Sequence, residues 1–237
     1  MRLYSYSLCR DPPSIGETKG IAEATPYVVE CAQIYCVVSD FPSDAVLITK
    51  DNVFAHARVV RHVFEQTTPL PFRFGTMLGR ARLEAFIASH QDSFRQQLAL
   101  VAGCVEMSIK LIIGDGSESS PAADQGRASS DRAATMSGTE FLEDKQRRND
   151  EEERLAEAAD EVKQWLATSL EGLAKASRID DRLGRKLLVT VAYLIEKPRL
   201  DAYEARVAEM RRERPNLRFL ASGPWPPYSF AEVPSPG

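Results

Sequence analysis

The sequence is poor in the residues that enzymes most often use for metal binding and acid–base catalysis. It has only 3 histidines and 4 cysteines among 237 residues, and no two cysteines form a C-x-x-C pair. His56 and His62 lie six residues apart on one predicted helix, and therefore on different faces, so they cannot bind one metal ion together. The motifs of phosphate loops, dinucleotide sites, serine hydrolases and zinc proteases are also absent. We therefore expect no enzymatic activity, no metal site and no cofactor.

The sequence also lacks a charge excess and a long apolar run. Its 30 basic and 34 acidic residues leave a formal net charge of -4, whereas a nucleic-acid-binding protein usually carries a strong positive patch. No apolar run approaches the roughly 18 residues of a membrane span, and the N-terminus has no apolar signal-peptide core. These absences predict a cytoplasmic protein with no nucleic-acid partner and no membrane span. In that reducing compartment we interpret all four cysteines as small core residues: Cys9, Cys31, Cys36 and Cys104.

Residues 1–102 carry the pattern of an N-terminal mixed α+β domain. Apolar and polar residues alternate at the N-terminus and in the segments PYVVEC and IYCVVSDF, which predicts one strand followed by a hairpin. From Thr49 the apolar residues recur every three or four positions, which predicts a helix whose apolar face includes Val53 and His56. The extended segment PLPFRFGTM and a single helix over residues 83–101 follow. The predicted order is β, β, β, α, β, α.

Residues 103–223 carry the pattern of a ferredoxin-like domain with the order β, α, β, β, α, β. The segment CVEMSIKLII alternates regularly, which predicts a strand with Glu106, Ser108 and Lys110 on its polar face. Two strands joined by a glycine turn at Gly184, a helix opened by a proline and a final strand complete the predicted domain.

The segment between the first strand and the long helix of this domain differs in composition from the rest. It is rich in serine, alanine and glycine and almost without aliphatic residues, which predicts a mobile loop over residues 114–139. A capping box of Ser137 and Glu140 then predicts a long helix over about residues 140–177. The first turns of this helix are charged on all sides, so we expect them to project into solvent.

The segment PLPFRFGTM places one guanidinium, that of Arg73, between Phe72 and Phe74. In one interpretation Arg73 pairs with a carboxylate such as Glu65 or caps a backbone carbonyl, while Gly75 allows a tight turn. In the other, Arg73 anchors a binding partner, because arginine and aromatic residues dominate the energetic centres of interfaces. Phe72, Arg73 and Phe74 are therefore candidate partner-binding residues.

The sequence closes with SGPWPPYSFAEVPSPG (residues 222–237), in which residues 224–237 are predicted to form a Pro/aromatic C-terminal tail. Prolines cannot donate hydrogen bonds to a sheet, and the aromatic residues Trp225, Tyr228 and Phe230 are too apolar to lie freely in water. The tail either packs back on the body, as a clasp between the two domains, or waits for a partner. In the first case only the last residues, EVPSPG, should be loose.

Several segments occur in an order and spacing similar to those of the gas vesicle protein F/L family (GvpF/GvpL). They are RLYSYS, VVE…VVSDFP, AHARVVRHVFEQTTPLPFRFGTM, GCVEMSIKL, SGTEFLEDKQ, VAYLIEK and GPWPPYSF. The resemblance runs from Arg2 to Phe230, and PFRFGT and GPWPPYSF are its most specific parts. The sequence departs from the family pattern in Cys31, Cys36 and Cys104 and in its long loop, and the F and L branches share these motifs.

The resemblance implies a two-domain α+β protein with a ferredoxin-like C-terminal half that is not an enzyme. It also implies an accessory or minor structural role in gas vesicles, with binding to the hydrophobic shell protein and to other accessory proteins, in the cytoplasm at the vesicles. It brings no catalytic residues. An alternative function is a small-molecule-binding regulatory module, because ferredoxin-like folds serve that purpose too.

Overall fold

The computed structural model of the protein describes residues 2–113, 138–182 and 187–234. Over these residues the chain forms two antiparallel sheets with helices packed on them, which is a mixed α+β fold, as expected from the sequence. No helix within the described residues combines the length and the apolar character that a bilayer crossing demands.

The first sheet is built from five strands. They are β1 (Arg2–Cys9), β2 (Tyr27–Cys31), β3 (Ile34–Phe41), β4 (Leu70–Pro71) and β5 (Met77–Leu78). The strand order is β2-β3-β1-β4, and β5 also pairs with β1. The predicted hairpin is confirmed: Ala32 and Gln33 join β2 to β3 with φ angles of 51° and 59°, the left-handed values that a two-residue hairpin turn requires.

Three helices accompany this sheet: α1 (Lys50–Phe64), α2 (Arg80–Ser89) and α3 (Gln91–Val101). The single helix predicted over residues 83–101 is wrong, because the chain breaks at His90, whose φ and ψ are -115° and 14°. The His90 N–H turns to the Ile87 carbonyl oxygen at 3.3 Å. The Phe86 carbonyl oxygen, which a continuous helix would pair with the His90 N–H, instead lies 2.9 Å from the His90 imidazole Nδ1.

The second sheet is built from four strands and carries two helices. In chain order these are β6 (Cys104–Ile113), α4 (Gly138–Ser169), β7 (Ala174–Arg182), β8 (Leu187–Glu196), α5 (Leu200–Glu213) and β9 (Arg218–Trp225). The strand order is β7-β8-β6-β9, with every neighbouring pair antiparallel. The predicted strand CVEMSIKLII is confirmed as β6, which pairs with β8 along its whole length.

Helix α4 ends earlier than the sequence predicts. It stops at Ser169, not near Ser177, and Gly172 follows with a φ of 74°, which reverses the chain direction at little steric cost. The residues from Ala174 onward form β7 instead. The regular spacing of apolar residues that predicted the helix therefore extends beyond its end, into the turn and the start of β7.

One apolar core is shared by both halves of the chain. The same cluster contains Leu8 from β1, Phe94 from α3 and Leu194 from β8. The other face of the second sheet packs on α4 and α5, where Leu166 and Tyr203 are almost fully buried. The second sheet is therefore covered on both faces. The division of the chain into domains at residues 1–102 and 103–223 stays a prediction.

Some sequence predictions fall outside the described residues. Of the predicted loop 114–139, residues 114–137 are not described and the last two belong to α4. Ser137 of the predicted capping box and the predicted turn at Gly184 also lie outside the described residues. The interpretation of the cysteines is confirmed, because all four are free and buried.

Candidate functional site

The C-terminal tail runs from the edge of the second sheet onto the first half of the chain. The first two residues of the predicted tail, Pro224 and Trp225, belong to strand β9, and the described remainder of the tail (residues 226–234) crosses the core that both halves share. Phe230 is only 2% exposed and belongs to the same cluster as Leu70 and Phe72. The tail thus inserts an aromatic ring beside the PFRFGT segment, which lies more than 150 residues earlier in the sequence.

Polar contacts hold the tail on both sides of Phe230. The Glu106 carboxylate accepts hydrogen bonds from the Ser229 N–H, at 2.7 Å, and from the Ser229 hydroxyl, at 2.8 Å. Gln97 and Glu232 bond reciprocally: the Gln97 amide donates to the Glu232 carbonyl at 3.2 Å, and the Glu232 N–H donates to Gln97 Oε1 at 2.9 Å. The Glu232 side chain also pairs with Arg178.

The buried position of Glu106 corrects a sequence prediction. Alternation placed it on the polar face of β6 with Ser108 and Lys110, yet the carboxylate is buried under the tail. Burial raises its pKa above the ordinary value, and the two hydrogen bonds from Ser229 oppose that rise. The strand pattern carried no signal for this, because the covering residues come more than 100 positions later.

The predicted tail residues divide between the core and the surface. Trp225 and Tyr228 remain 46% and 42% exposed, in contrast to Phe230. Val233 lies in the shared core, so the expectation that all of EVPSPG is loose is wrong at that residue. Apolar contact with the core and the Gln97 bonds hold this part of the tail.

The PFRFGT segment forms a tight turn beside the end of the tail. Phe72 is buried, whereas Arg73 is exposed. Gly75 has a φ of 87° and donates its N–H to the Tyr4 hydroxyl at 3.1 Å. Thr76 closes the turn, because its N–H and its hydroxyl donate to the Arg73 carbonyl at 3.2 and 2.8 Å.

The predicted pairing of Arg73 with Glu65 is not found. Glu65 lies 3.9 Å from Arg61, and within the described ranges Arg73 makes no ion pair. Phe72, Arg73 and Phe74 line a hollow of about 310 Å³ together with Val233 and Pro234. The structure therefore brings the PFRFGT segment together with Val233 and Pro234 of the tail, and among the described residues the exposed Arg73 guanidinium has no carboxylate partner.

A second cavity, the cleft groove, lies between the two halves. It has a volume of about 430 Å³. Its apolar lining comes from Phe64 of α1, Val105 of β6, Leu200 of α5 and Trp225 of β9. Arg61, Glu65 and Lys197 lie at the groove as charged groups. Of the six candidate partner-binding or clasp residues, only Trp225 lines this groove.

The periodic sequence patterns do not indicate the densest run of exposed large apolar side chains among the described residues. Leu47 and Ile48 are 76% and 85% exposed, and Phe54 and Val53 follow at 59% and 41%. We name these four residues the apolar ridge. The sequence predicts Val53 and His56 on the apolar face of α1; His56 is buried there, but Val53 is exposed, and the buried residues of that helix are Ala55, His56, Val59, Val60 and Val63. The sequence signal for the ridge was the apolar run that ends just before Thr49, the cap of α1.

The one buried histidine, His56, packs against aromatic residues of the core. His56 Nδ1 lies 2.9 Å from the Tyr4 hydroxyl, and its ring stacks on Tyr6 with centroids 5.7 Å apart. Burial lowers its pKa to about 4, so the ring is neutral near pH 7. Within the described residues, no three histidine, cysteine or acidic side chains come close enough to hold a metal ion.

The comparison with known proteins decides the family. The family model described as "Gas vesicle synthesis protein GvpL/GvpF" matches residues 2–232. This chain belongs to the GvpL/GvpF family. The resemblance seen in the sequence is thereby confirmed over nearly its whole length.

Relatives from both branches of the family are similar to this chain. Gas vesicle protein F1 of Halobacterium salinarum is 23% identical over 98% of this chain and 93% of its own length. Gas vesicle protein L1 of the same organism is 29% identical over 90% of this chain and 83% of its own length. The chain is therefore similar to F and L proteins alike.

Two crystal structures share the fold. GvpF from Microcystis aeruginosa has a TM-score of 0.75 at 20% identity and covers 98% of this chain and 99% of its own. GvpF from an Anabaena species has the same TM-score at 18% identity and covers 98% of this chain and 97% of its own. The arrangement of two antiparallel sheets is thus that of solved GvpF proteins.

Proposed function

We propose that this protein binds the hydrophobic gas vesicle shell protein and assists vesicle nucleation or assembly, and that it is not an enzyme. Family membership supports the link to gas vesicles. The apolar ridge is the observation that carries the binding role, because four of the nine exposed large apolar side chains of the described residues lie within eight positions. Exposed apolar surface of this kind marks interaction sites in soluble proteins.

The proposed mechanism is shielding. A shell subunit that will face a gas space exposes apolar surface before assembly, and such surface aggregates unless it is covered. The ridge offers a matching apolar surface on a folded carrier. Its backbone is held by the cap of α1, where the Thr49 hydroxyl accepts the Asn52 N–H at 3.2 Å and the Asn52 amide donates to the Leu47 carbonyl at 2.9 Å. A preorganised ridge loses little conformational entropy on binding.

The finer architecture is part of the proposal. We treat residues 103–223 as a ferredoxin-like domain, supported by the strand order β7-β8-β6-β9, and residues 224–237 as a tail that packs on the body. We place the protein in the cytoplasm at the vesicles, with the shell protein and other gas vesicle accessory proteins as partners. Phe72, Arg73, Phe74, Trp225, Tyr228 and Phe230 stay candidate partner-binding or clasp residues.

The test is capture of the shell protein by the full-length chain after co-expression. We expect Ile48→Asp to lose the shell protein, because a carboxylate in the ridge opposes apolar contact. Leu220→Asp is the matched control, since Leu220 is also exposed (48%) but lies on β9, away from the ridge. Equal capture by both variants would remove the ridge from the site. Unchanged capture by Arg73→Ala would likewise remove Arg73.

A genetic experiment tests the role at the level of the cell. Deleting the gene from a vesicle-forming host should abolish buoyancy, and the wild-type gene should restore it. Normal vesicles in the deletion strain would contradict a role in assembly. An Ile48→Asp gene that restores buoyancy fully would contradict the ridge as the functional surface.

A further inference from the structure

We propose that the cleft groove binds an amphipathic helix of a partner protein, with aliphatic side chains against Trp225 and a carboxylate at Lys197. The groove is separate from the apolar ridge: it is lined by the end of α1 and by the second half of the chain, whereas the ridge lies at the start of α1. The inference goes beyond shell binding and gives the protein a second docking surface.

The apolar part of the groove is built around an incompletely buried tryptophan. Trp225 is 46% exposed, and its indole N–H makes only a long hydrogen bond to the Ser222 hydroxyl, at 3.4 Å. Phe64, Val105 and Leu200 complete the apolar lining from three other elements. An exposed tryptophan at the edge of an apolar cavity is the type of residue that becomes an energetic centre when a partner covers it.

The charge at the groove indicates what the partner must bring. The Lys197 ammonium lies 5.3 Å from the centroid of the Phe64 ring, a cation–π contact, and within the described residues it has no carboxylate within ion-pair distance. The neighbouring carboxylates are engaged: Glu65 with Arg61 at 3.9 Å and Glu196 with Arg199 at 3.2 Å. An apolar surface beside an unpaired cation is complementary to an apolar segment that carries a carboxylate.

The backbone around the groove favours a helix over an extended strand as the occupant. Addition of a strand needs free N–H groups along an edge, and Pro224 and Pro226, which line the groove, have none. A helix needs only side-chain contacts at a spacing of three or four residues. The volume of about 430 Å³ lies within the range of roughly 300–1,000 Å³ that is typical of binding pockets, so it accommodates side chains from one helix face.

The experiment uses the full-length protein and two fluorescein-labelled amphipathic peptides of identical length. Both carry leucines at i, i+3, i+4 and i+7; one has a glutamate beside this stripe, and the other has a lysine there. We expect the wild-type protein to bind the glutamate peptide about tenfold more tightly in fluorescence anisotropy, the ratio that corresponds to about 1.4 kcal/mol. Equal affinities, or no binding of either peptide, would overturn the proposal.

Charge reversal in the protein gives the decisive arm. Lys197→Glu should reverse the preference in favour of the lysine peptide, and Trp225→Ala should weaken both peptides. Lys110→Glu is the matched control, because Lys110 is an exposed lysine on β6 that does not line the groove. A preference that Lys197→Glu leaves unchanged would overturn the assignment of the carboxylate.

Two further outcomes separate this inference from its alternatives. Ile48→Asp should bind both peptides as the wild type does, so a loss of shell capture and a loss of groove binding are distinguishable. Sedimentation of the protein alone tests a second copy as the occupant. A dimer that Trp225→Ala dissociates would overturn the proposal in favour of self-association through the groove.

Discussion

The apolar ridge lies at the start of α1 and the C-terminal tail follows β9, and the chain treats the apolar side chains of these two segments in opposite ways. Ile48 of the ridge is 85% exposed, whereas Phe230 of the tail is 2% exposed. Hydrogen bonds hold the backbone of both segments. The ridge is held by bonds within its own segment, at the cap of α1. The tail is held by bonds to distant residues, Glu106 and Gln97.

This difference separates two uses of apolar surface. A segment that is fixed by distant contacts contributes to folding, because its burial and its hydrogen bonds appear only when the whole chain is folded. A segment that is fixed locally keeps its apolar side chains available for a partner. We therefore expect substitutions in the tail to change stability and substitutions in the ridge to change binding.

Phe230→Ala should have the largest effect on stability. Removing a fully buried phenylalanine costs about 3–5 kcal/mol, because the core loses apolar contact and keeps a cavity. In a chain of this size each kcal/mol lowers Tm by about 2–4 °C, so thermal unfolding followed by circular dichroism is a sufficient measurement. Tyr228→Ala is the control, since that ring is already 42% exposed. Equal losses in both variants would contradict the distinction between the two aromatic residues.

Ser229→Ala should destabilise the protein by a smaller amount. It removes the hydroxyl that donates to Glu106 at 2.8 Å and leaves a buried carboxylate oxygen without that partner, which costs about 1.5 kcal/mol. Ser222→Ala is the matched control, because its hydroxyl accepts only the long 3.4 Å bond from Trp225. Chemical denaturation would measure both. A Ser222→Ala effect as large as that of Ser229→Ala would show that the Glu106 bonds do not hold the tail.

The sequence predicted the regular parts of the fold better than the contacts that cover them. Alternation in β6 and the hairpin of β2 and β3 were readable because each signal is local. Glu106 was assigned to a solvated face because nothing near it in the sequence indicates that the tail returns over it. The periodicity of an element identifies its faces, but it does not identify what packs on each face.

The candidate sites show the same limit. The sequence singled out Trp225 and Phe230 by composition, but it could not assign one to the groove and the other to the core. The apolar ridge was missed because Val53 fits the same helical stride as His56, Val60 and Val63, which are buried, and yet is itself exposed. The break at His90 was missed because an imidazole that bonds the preceding turn leaves no periodic signature.

The pH dependence of stability should reveal the carboxyl under the tail. Because burial raises the pKa of Glu106, the folded state keeps its proton to a higher pH than the unfolded state, in which the pKa is about 4.3. In that window the folded state binds more protons, so the contribution of Glu106 to stability is present below the unfolded pKa and declines as the pH rises through the folded pKa. Glu106→Gln lacks this titration.

The measurement is the unfolding free energy of the wild type minus that of Glu106→Gln at a series of pH values. Other groups, including His56, titrate in both proteins and cancel in the difference. We expect the difference to move against the wild type as the pH rises above about 4.3. A difference that is flat, or that moves in favour of the wild type, would contradict the raised pKa.

Ile48→Ser should have the smallest effect on stability and the sharpest bearing on the comparison. The side chain is 85% exposed, and its replacement by a polar residue removes little buried surface, so the unfolding free energy should stay within about 0.5 kcal/mol of the wild type. Chemical denaturation with Phe230→Ala in parallel provides the scale. A loss of several kcal/mol in Ile48→Ser would mean that the ridge, like the tail, is covered by the chain itself. If stability is unchanged and shell capture is lost, the apolar surface of the ridge is part of the surface that binds the partner.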